Sequence, residues 1–127
     1  MKVKVTPSKV HGNVKIPASK SMAHRALICA SLSDGTSIVS NVTNSKDIEA
    51  TVGCMKALGA KIKQIDETTY EVTGTNLFKQ EGNITCNANE SGSTLRFLIP
   101  LAACTNAKVK FLGQGRLLQR PMDVYEN

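Results

Sequence analysis

Tryptophan is absent from this sequence, and two tyrosines and three phenylalanines make up its entire aromatic content, 4% of the residues. A surface that binds nucleic acid by stacking bases on aromatic rings has little to be built from. No apolar run approaches the ~20 residues that a membrane-crossing helix needs. The opening Met1-Lys2-Val3-Lys4-Val5 alternates charge with valine and lacks the apolar stretch of a secretory signal. A cytoplasmic location is expected. The four cysteines (Cys29, Cys54, Cys86, Cys104) form no Cys-x-x-Cys pair, and only two histidines accompany them, so a zinc centre is excluded. Three of the four stand among small or apolar residues, which predicts buried free thiols in a reducing compartment rather than a disulfide framework.

What remains is ordinary for a globular domain: 127 residues, 41% hydrophobic and 20% charged. One domain with its own core is the expectation at this length. Sixteen basic residues face ten acidic ones, a net charge of +6. That total fits a nucleic-acid binder, an enzyme of anionic substrates or a merely well-solvated surface. The distribution separates these. The twelve lysines are scattered and mostly alternate with apolar residues, as on the wet face of a strand. The four arginines (Arg25, Arg96, Arg116, Arg120) all fall in short segments rich in Ser, Gly or Pro. Arginine grips phosphate or carboxylate with a two-pronged fork, so this clustering points to a small anionic ligand.

Along the chain, residues 3–5 and 14–16 read as short strands. Pro17-Ala18-Ser19-Lys20-Ser21 leads into a helix over 22–32, with Ser19 or Ser21 as its N-cap, and Asp34-Gly35 stops it. Residues 36–42 are β-branched and strand-like. Asn44-Ser45 can cap a second helix whose first turn carries Asp47 and Glu49. Val52, Met55 and Leu58 recur along it at helical spacing, until Gly59 ends it. Strands 61–65 and 69–73 follow, joined across Asp66-Glu67. Then the order restarts: strand 83–87, polar loop 89–93, helix 94–104 containing an awkward Pro100, strand 108–112. A shift of 71 positions places Arg25 on Arg96, Leu27 on Leu98, Ile28 on Ile99 and Ile38 on Val109. The pattern is a βαβαββ unit of about 70 residues, repeated. Arg120-Pro121-Met122-Asp123 reads as the start of a further helix, so the second unit is expected to be incomplete. The predicted division is opening strands 1–16, a first unit 17–78 and a second, partial unit 79–127.

Three loops resemble anion sites. In Ser19-Lys20-Ser21-Met22-Ala23-His24-Arg25, a helix N-terminus offers free N–H groups and partial positive charge. Ser21 adds a hydroxyl, Lys20 reaches over the same spot, and Arg25 lies one turn on. In Asn89-Glu90-Ser91-Gly92-Ser93-Thr94-Leu95-Arg96, Gly92 lets backbone approach a ligand closely. The third, residues 113–121, ends in Arg120-Pro121. Each alone is no more than a capped helix with solvated cations. Three at equivalent places, holding every arginine, point to one shared polyanionic site. His24 reads as a surface or packing residue before a catalytic one. Asp47 reads as a first-turn carboxylate that can steer a lysine. Tyr70 and Tyr125 look structural.

Pro17-x-Ser19-Lys20-Ser21-x-x-x-Arg25-Ala26-Leu27 resembles the opening signature of the EPSP synthase (3-phosphoshikimate 1-carboxyvinyltransferase) family. Ser91-Gly92-Ser93-Thr94-Leu95-Arg96 is similar to its Asn-x-Gly-Thr-x-x-Arg motif, and Leu117-Leu118-Gln119-Arg120-Pro121 to its Arg-Pro motif. The resemblance runs through essentially all 127 residues and corresponds to roughly the first third of a family member. It implies an α+β fold of the α/β prism type, with three βαβαββ units in each of two domains and the site between them. The chain would form part of the N-terminal domain. Residues 1–16 would belong to the missing C-terminal domain, leaving them loose, packed in another way, or free to pair with a second copy.

The implied reaction moves the enolpyruvyl group of phosphoenolpyruvate to the 5-hydroxyl of shikimate 3-phosphate and releases phosphate. Protonation of the methylene and attack by the hydroxyl give a tetrahedral intermediate, which then eliminates phosphate. No metal or organic cofactor is implied, and glyphosate is the implied competitor of phosphoenolpyruvate. By position, Lys20 would contact both substrates, Ser21 and Arg25 would hold shikimate 3-phosphate, and Gly92 and Arg120 would hold phosphoenolpyruvate. Asp47 and Arg96 would stand behind these groups, and Lys20 could act electrostatically. The residues that carry out proton transfer are implied to lie outside these 127, so no turnover is expected from the chain alone, and at most weak binding of phosphate or shikimate 3-phosphate. Ser93 in place of Thr, Phe97 in place of Pro, and Pro100 depart from the family pattern and concern local helix geometry.

Three other readings compete, one of them that the chain alone is a folding unit that retains no binding. UDP-N-acetylglucosamine enolpyruvyl transferase shares the fold and chemistry. Its opening motif has Lys-Asn where this chain has Lys20-Ser21, and its cysteine loop near residue 115 finds no cysteine in residues 113–120. A basic nucleic-acid module would suit the +6 charge. The scarcity of aromatics, the confinement of arginine to three loops and the scattered acidic residues argue against it.

Overall fold

A computed structural model describes residues 1–125. Helix α1, Lys20–Leu32, starts where Ser19 takes an extended conformation and its hydroxyl accepts from the Met22 N–H. Of the two capping serines considered, Ser19 is thus the cap. After the Ser33-Asp34-Gly35 turn comes β1, Thr36–Val39. Helix α2, Lys46–Ala57, is capped by the Ser45 hydroxyl, which accepts from Ile48 N–H, and it carries Asp47 and Glu49 in its first turn. Two carboxylates there complement the helix dipole. Gly59, at φ +101°, reverses the chain while Ala60 N–H reaches back to the Met55 carbonyl. This left-handed exit is one that glycine adopts without strain.

Strands β2, Lys61–Asp66, and β3, Thr69–Thr73, form a hairpin. Its turn is Glu67-Thr68, one residue later than the sequence suggests, because Asp66 still pairs with Thr69 and its carboxylate accepts from Thr68 N–H. A 3-10 turn, Leu77–Lys79, leads to β4, Glu81–Asn87. Helix α3, Gly92–Ala102, and β5, Asn106–Leu112, follow. Gly115–Gln119 and Asp123–Tyr125 are short 3-10 turns, so the helix expected after Arg120 is only one turn within the described residues.

β1, β3 and β2 make an antiparallel sheet in that order, and β4 and β5 a separate parallel pair with α3 as the crossover between them. Leu27, Ile48, Met55, Leu58, Val72 and Leu98 are fully buried where the helices meet the sheets. No helix among the described residues is long and apolar enough to cross a membrane.

Several expectations are corrected. Residues 3–5 and 14–16 form no strand. Residues 1–19 carry no helix or strand, and Val3, Val5, Val10, Val14 and Ile16 are exposed. A strand is held by its partner's hydrogen bonds, and none of the described strands pairs with this segment. The strand expected over 36–42 ends at Val39, since Asn41 turns left-handed at φ +57° and Val42 N–H bonds the Thr68 carbonyl instead. Val39, not Ile38, packs on the core as Val109 does, while Ile38 is exposed. The repeat therefore steps by 70 in this strand, and a slip of one residue exchanges the two faces. Pro100 is accommodated inside α3. Its ring leaves the Arg96 carbonyl without its usual N–H donor, and the Tyr125 hydroxyl donates to that carbonyl at 3.0 Å. Of the cysteines only Cys54 and Cys86 are buried, whereas Cys29 and Cys104 are exposed.

Candidate functional site

The three helices bring their N-termini to one region, and the candidate residues sit there because each helix begins at a serine cap. Lys20 is the first residue of α1. Its ammonium lies 2.9 Å from the Asp47 carboxylate in the first turn of α2, with both side chains partly exposed. An exposed pair of this kind adds little stability but fixes where a flexible lysine points. Ser21 is exposed in the first turn of α1, and its carbonyl accepts from the Arg25 guanidinium at 2.9 Å. The same guanidinium lies over the Phe97 ring of α3, 5.1 Å from its centroid. Cation–π contact at that distance holds the fork against the helix end instead of letting it wave in solvent.

Gly92 opens α3 behind its Ser91 cap. A β-carbon added to Gly92 would overlap the Arg120 guanidinium. The two residues therefore touch although 28 positions separate them, and the absence of a side chain at 92 is what lets the arginine lie on the helix end. Arg120 also lines a cleft of about 280 Å³ with Glu90, Arg116 and Leu117. Glu90 borders a second, larger cleft of about 600 Å³, shared with Lys46, Asp47, Glu49, Asn89 and Gln114. Through Glu90 and Asp47 the two arginines of the third loop connect with Lys20 of the first. A separate cleft lined by Leu32, Asp34, Thr75, Leu77, Phe78 and Cys104 lies at the other end of α1 and holds no cation.

The structure thus joins Lys20 with Asp47, Ser21 with Arg25, and Gly92 with Arg120. It sets Arg116 beside Arg120. Arg96 lies on the exposed side of α3, and its recorded contact is through its backbone carbonyl. Chemically, the arrangement offers three helix N-termini, the ammonium groups of Lys20 and Lys46, and guanidinium groups held by a ring, a carbonyl and a glycine. Groups of this kind can receive an anion with several charged oxygens, with Asp47, Glu49 and Glu90 setting carboxylates along the larger cleft.

Five residues around the site were not read from the sequence as participants. Glu90 puts a carboxylate inside the arginine cleft and lies against Gly115, where a β-carbon would overlap it. Phe97 reads as an apolar helix residue and turns out to carry Arg25. Thr51 and Thr94 are buried hydroxyls joined at 2.7 Å, and His24 is buried with Nδ1 2.7 Å from Thr51 Oγ1. Burial holds the His24 pKa below its ordinary 6.5. Asp47 opposes that shift, while Lys20 and Arg25 add to it. The ring is therefore neutral at pH 7.

A family model described as EPSP synthase (3-phosphoshikimate 1-carboxyvinyltransferase) matches residues 4–125. The 3-phosphoshikimate 1-carboxyvinyltransferase of Clostridium perfringens strain SM101 is 52% identical over 124 residues, which are 98% of this chain and 29% of that protein. The Clostridium kluyveri protein of the same name is 49% identical, over 97% of this chain and 28% of its own. The chain thus spans less than a third of the length of these curated relatives. Among solved structures, EPSP synthase from Acinetobacter baumannii superposes with a TM-score of 0.71 over 88% of this chain and 26% of that one, at 21% identity. At that identity the likeness speaks for the fold, and the fold is that of a partial α+β N-terminal domain.

Proposed function

The chain belongs to the EPSP synthase family, and from that premise we propose that its helix N-termini form one wall of the enolpyruvyl-transfer site. The reaction is transfer of the enolpyruvyl group of phosphoenolpyruvate to the 5-hydroxyl of shikimate 3-phosphate. A bond forms between that oxygen and C2 of the enolpyruvyl group, and the C–O bond to phosphate breaks. The proton added to the methylene is lost again on elimination.

Ser21 and Arg25 hold the phosphate of shikimate 3-phosphate, and Gly92 with Arg120 holds phosphoenolpyruvate. Lys20 reaches both, and Asp47 aims Lys20. The observation that carries the reading is the seating of the Arg120 guanidinium on Gly92 at the start of α3, since it unites two loops that a phosphate would need together. Such groups stabilise charge that builds on the departing phosphate without moving during the reaction. The proton-transfer residues lie outside these residues, so the 127-residue chain binds without turning over. The setting is cytoplasmic.

Calorimetric titration of the chain with shikimate 3-phosphate, alone and with phosphoenolpyruvate, tests the assignment. Lys20→Met and Arg25→Met should each weaken binding at least about tenfold, the scale of a lost charge-assisted hydrogen bond. Equal affinity for both variants and the parent chain would refute the residue roles, as would enolpyruvyl transfer by the chain alone.

The outer edge of β1 has no strand beside it among the described residues, and Val10, Val14 and Ile16 are exposed in the segment that precedes α1. An open edge and an apolar arm favour pairing between copies through residues 1–16. Sedimentation should show a concentration-dependent dimer that is lost when residues 1–16 are removed. A monomer at all concentrations would dismiss it.

A further inference from the structure

About one turn into each of the three helices lies a buried polar group that the reaction does not touch. His24 follows Lys20 on α1, Thr51 follows Asp47 on α2, and Thr94 follows Ser91 on α3. Their side chains join end to end. His24 Nδ1 is 2.7 Å from Thr51 Oγ1 and Thr51 Oγ1 is 2.7 Å from Thr94 Oγ1. The Thr94 hydroxyl donates to Ser91 Oγ at 2.7 Å and more distantly, at 3.3 Å, to the Asp47 carbonyl. Ser91 Oγ in turn accepts from Thr94 N–H at 3.2 Å, the bond that caps α3. His24, Thr51, Thr94 and Ser91 are each at least 98% buried.

A hydroxyl has one hydrogen, so the chain runs in one of two directions. The contact of the Thr94 hydroxyl with the Asp47 carbonyl favours one of them: Thr94 shares its hydrogen between Ser91 Oγ and that carbonyl and accepts from Thr51. Thr51, having spent its hydrogen on Thr94, then accepts from His24, and the imidazole carries its proton on Nδ1. In the reversed chain Ser91 would donate to Thr94 and Thr51 to a bare Nδ1, and the Thr94 contact with the Asp47 carbonyl would lose its donor.

We propose that His24, Thr51 and Thr94 are positioning residues, a directional hydrogen-bond relay that locks the N-termini of α1, α2 and α3 into the one geometry the anion site uses. The proposal rests on the reading of that site given above. Its physical content is that three helices packed by apolar side chains alone could slide or rotate slightly against one another. A buried chain of hydrogen bonds tolerates no such slip, because each unmade bond leaves a desolvated polar group. The relay sits beneath Lys20, Asp47 and Gly92, so it sets their separations. A neutral ring suits the role, and the groups around His24 are Asp47, Lys20 and Arg25, with burial the largest influence.

The test reads the ligand-free chain first. A long-range proton–nitrogen NMR spectrum at pH 7.5 should show His24 as the Nδ1–H tautomer, with exposed His11 as internal comparator showing the ordinary mixture dominated by Nε2–H. Thr51→Val keeps the shape of the side chain and removes the hydroxyl. It should release His24 toward the ordinary mixture and speed amide exchange at Thr94 and Leu95 about tenfold. Thr51→Ser, which restores the hydroxyl, should return both to the parent values. A His24 ring bare at Nδ1 in the parent chain overturns the relay, and that readout needs no variant to fold. So does a Thr51→Val chain whose His24 tautomer and α3 exchange match the parent. Titration with inorganic phosphate and shikimate 3-phosphate follows, with affinity expected to fall about fivefold to tenfold in Thr51→Val and to recover in Thr51→Ser. A parent chain that shows the predicted tautomer and binds neither ligand supports the relay and refutes the site assignment, so the two failures are told apart.

Discussion

Replacing Gly92 by alanine should make the chain more stable and a poorer binder of phosphoenolpyruvate. Gly92 is the first residue of α3, and its φ lies outside the left-handed region, so alanine fits the backbone without strain. Gly→Ala at such a position stabilises by about 0.4–1 kcal/mol, chiefly by restricting the unfolded chain. For a domain of this size that is a rise in Tm of about 1–4 °C. The new methyl group, however, would occupy the place of the Arg120 guanidinium. The guanidinium is at the end of a flexible side chain and can swing aside, so folding is spared and the site is not. Losing one charge-assisted hydrogen bond to a phosphate costs about 1.5–3 kcal/mol, or roughly a 10- to 150-fold weaker Kd. Thermal unfolding and calorimetric titration on the same sample measure both halves. A fall in Tm of several degrees would show that Gly92 is needed for the backbone. Unchanged affinity for phosphoenolpyruvate would show that Arg120 does not work from this seat.

The depressed pKa of buried His24 makes folding stability depend on pH. The unfolded chain takes up this proton more readily, so stability is full above about pH 6.5. It declines as pH falls below that value and levels off once the folded ring is also protonated. Chemical denaturation across pH 5–8 should show this slope in the parent chain and a shallower one in His24→Gln, and parallel profiles would contradict it. Cys29 and Cys104 should react quickly with a thiol reagent in the native state, while buried Cys54 and Cys86 wait for unfolding. The neighbouring Cys86 thiol, and then burial, push the Cys54 thiol well above its ordinary range, and four equally fast thiols would refute the packing. Phe97→Leu keeps an apolar side chain on α3 but removes the ring beneath Arg25. Affinity for shikimate 3-phosphate should drop about threefold to fivefold with little change in Tm, the scale of one partly exposed cation–π contact. An unchanged Kd would mean that the ring does not hold the guanidinium.

The features legible in the sequence are those that depend on near neighbours along the chain. Ser19 and Ser45 announce helix starts because a cap bonds an N–H only three residues on, whereas the third helix, expected over 94–104, begins two residues earlier behind Ser91. Gly59 announces an exit because the left-handed conformation is local. The alternation in 69–73 gives β3 its full extent. The three cation-bearing loops were visible for the same reason, since each begins at such a cap or glycine turn.

What distant residues decide was not legible. β1 stops at Val39 because Val42 finds the Thr68 carbonyl, a partner 26 positions away. Pro100 is tolerated because Tyr125 supplies the donor its neighbour lacks. The face of β1 is set by a one-residue drift of the repeat that the arginine alignment hides. Within the site, each loop was readable and their union was not. Neither Arg120 lying on Gly92 nor Arg25 lying on Phe97 follows from spacing. His24 read as a surface or packing residue, and only the meeting of three helices reveals the hydroxyls that give it a direction.

We propose above that the helix N-termini around Lys20 receive shikimate 3-phosphate. Two-dimensional NMR of the labelled chain, titrated with shikimate 3-phosphate and in parallel with UDP-N-acetylglucosamine and a short DNA duplex, tests it most directly. The account predicts shifts centred on the amides of Lys20, Ser21 and Arg25, produced by shikimate 3-phosphate alone. Shifts elsewhere, shifts shared equally with the other two ligands, or none at all would contradict it.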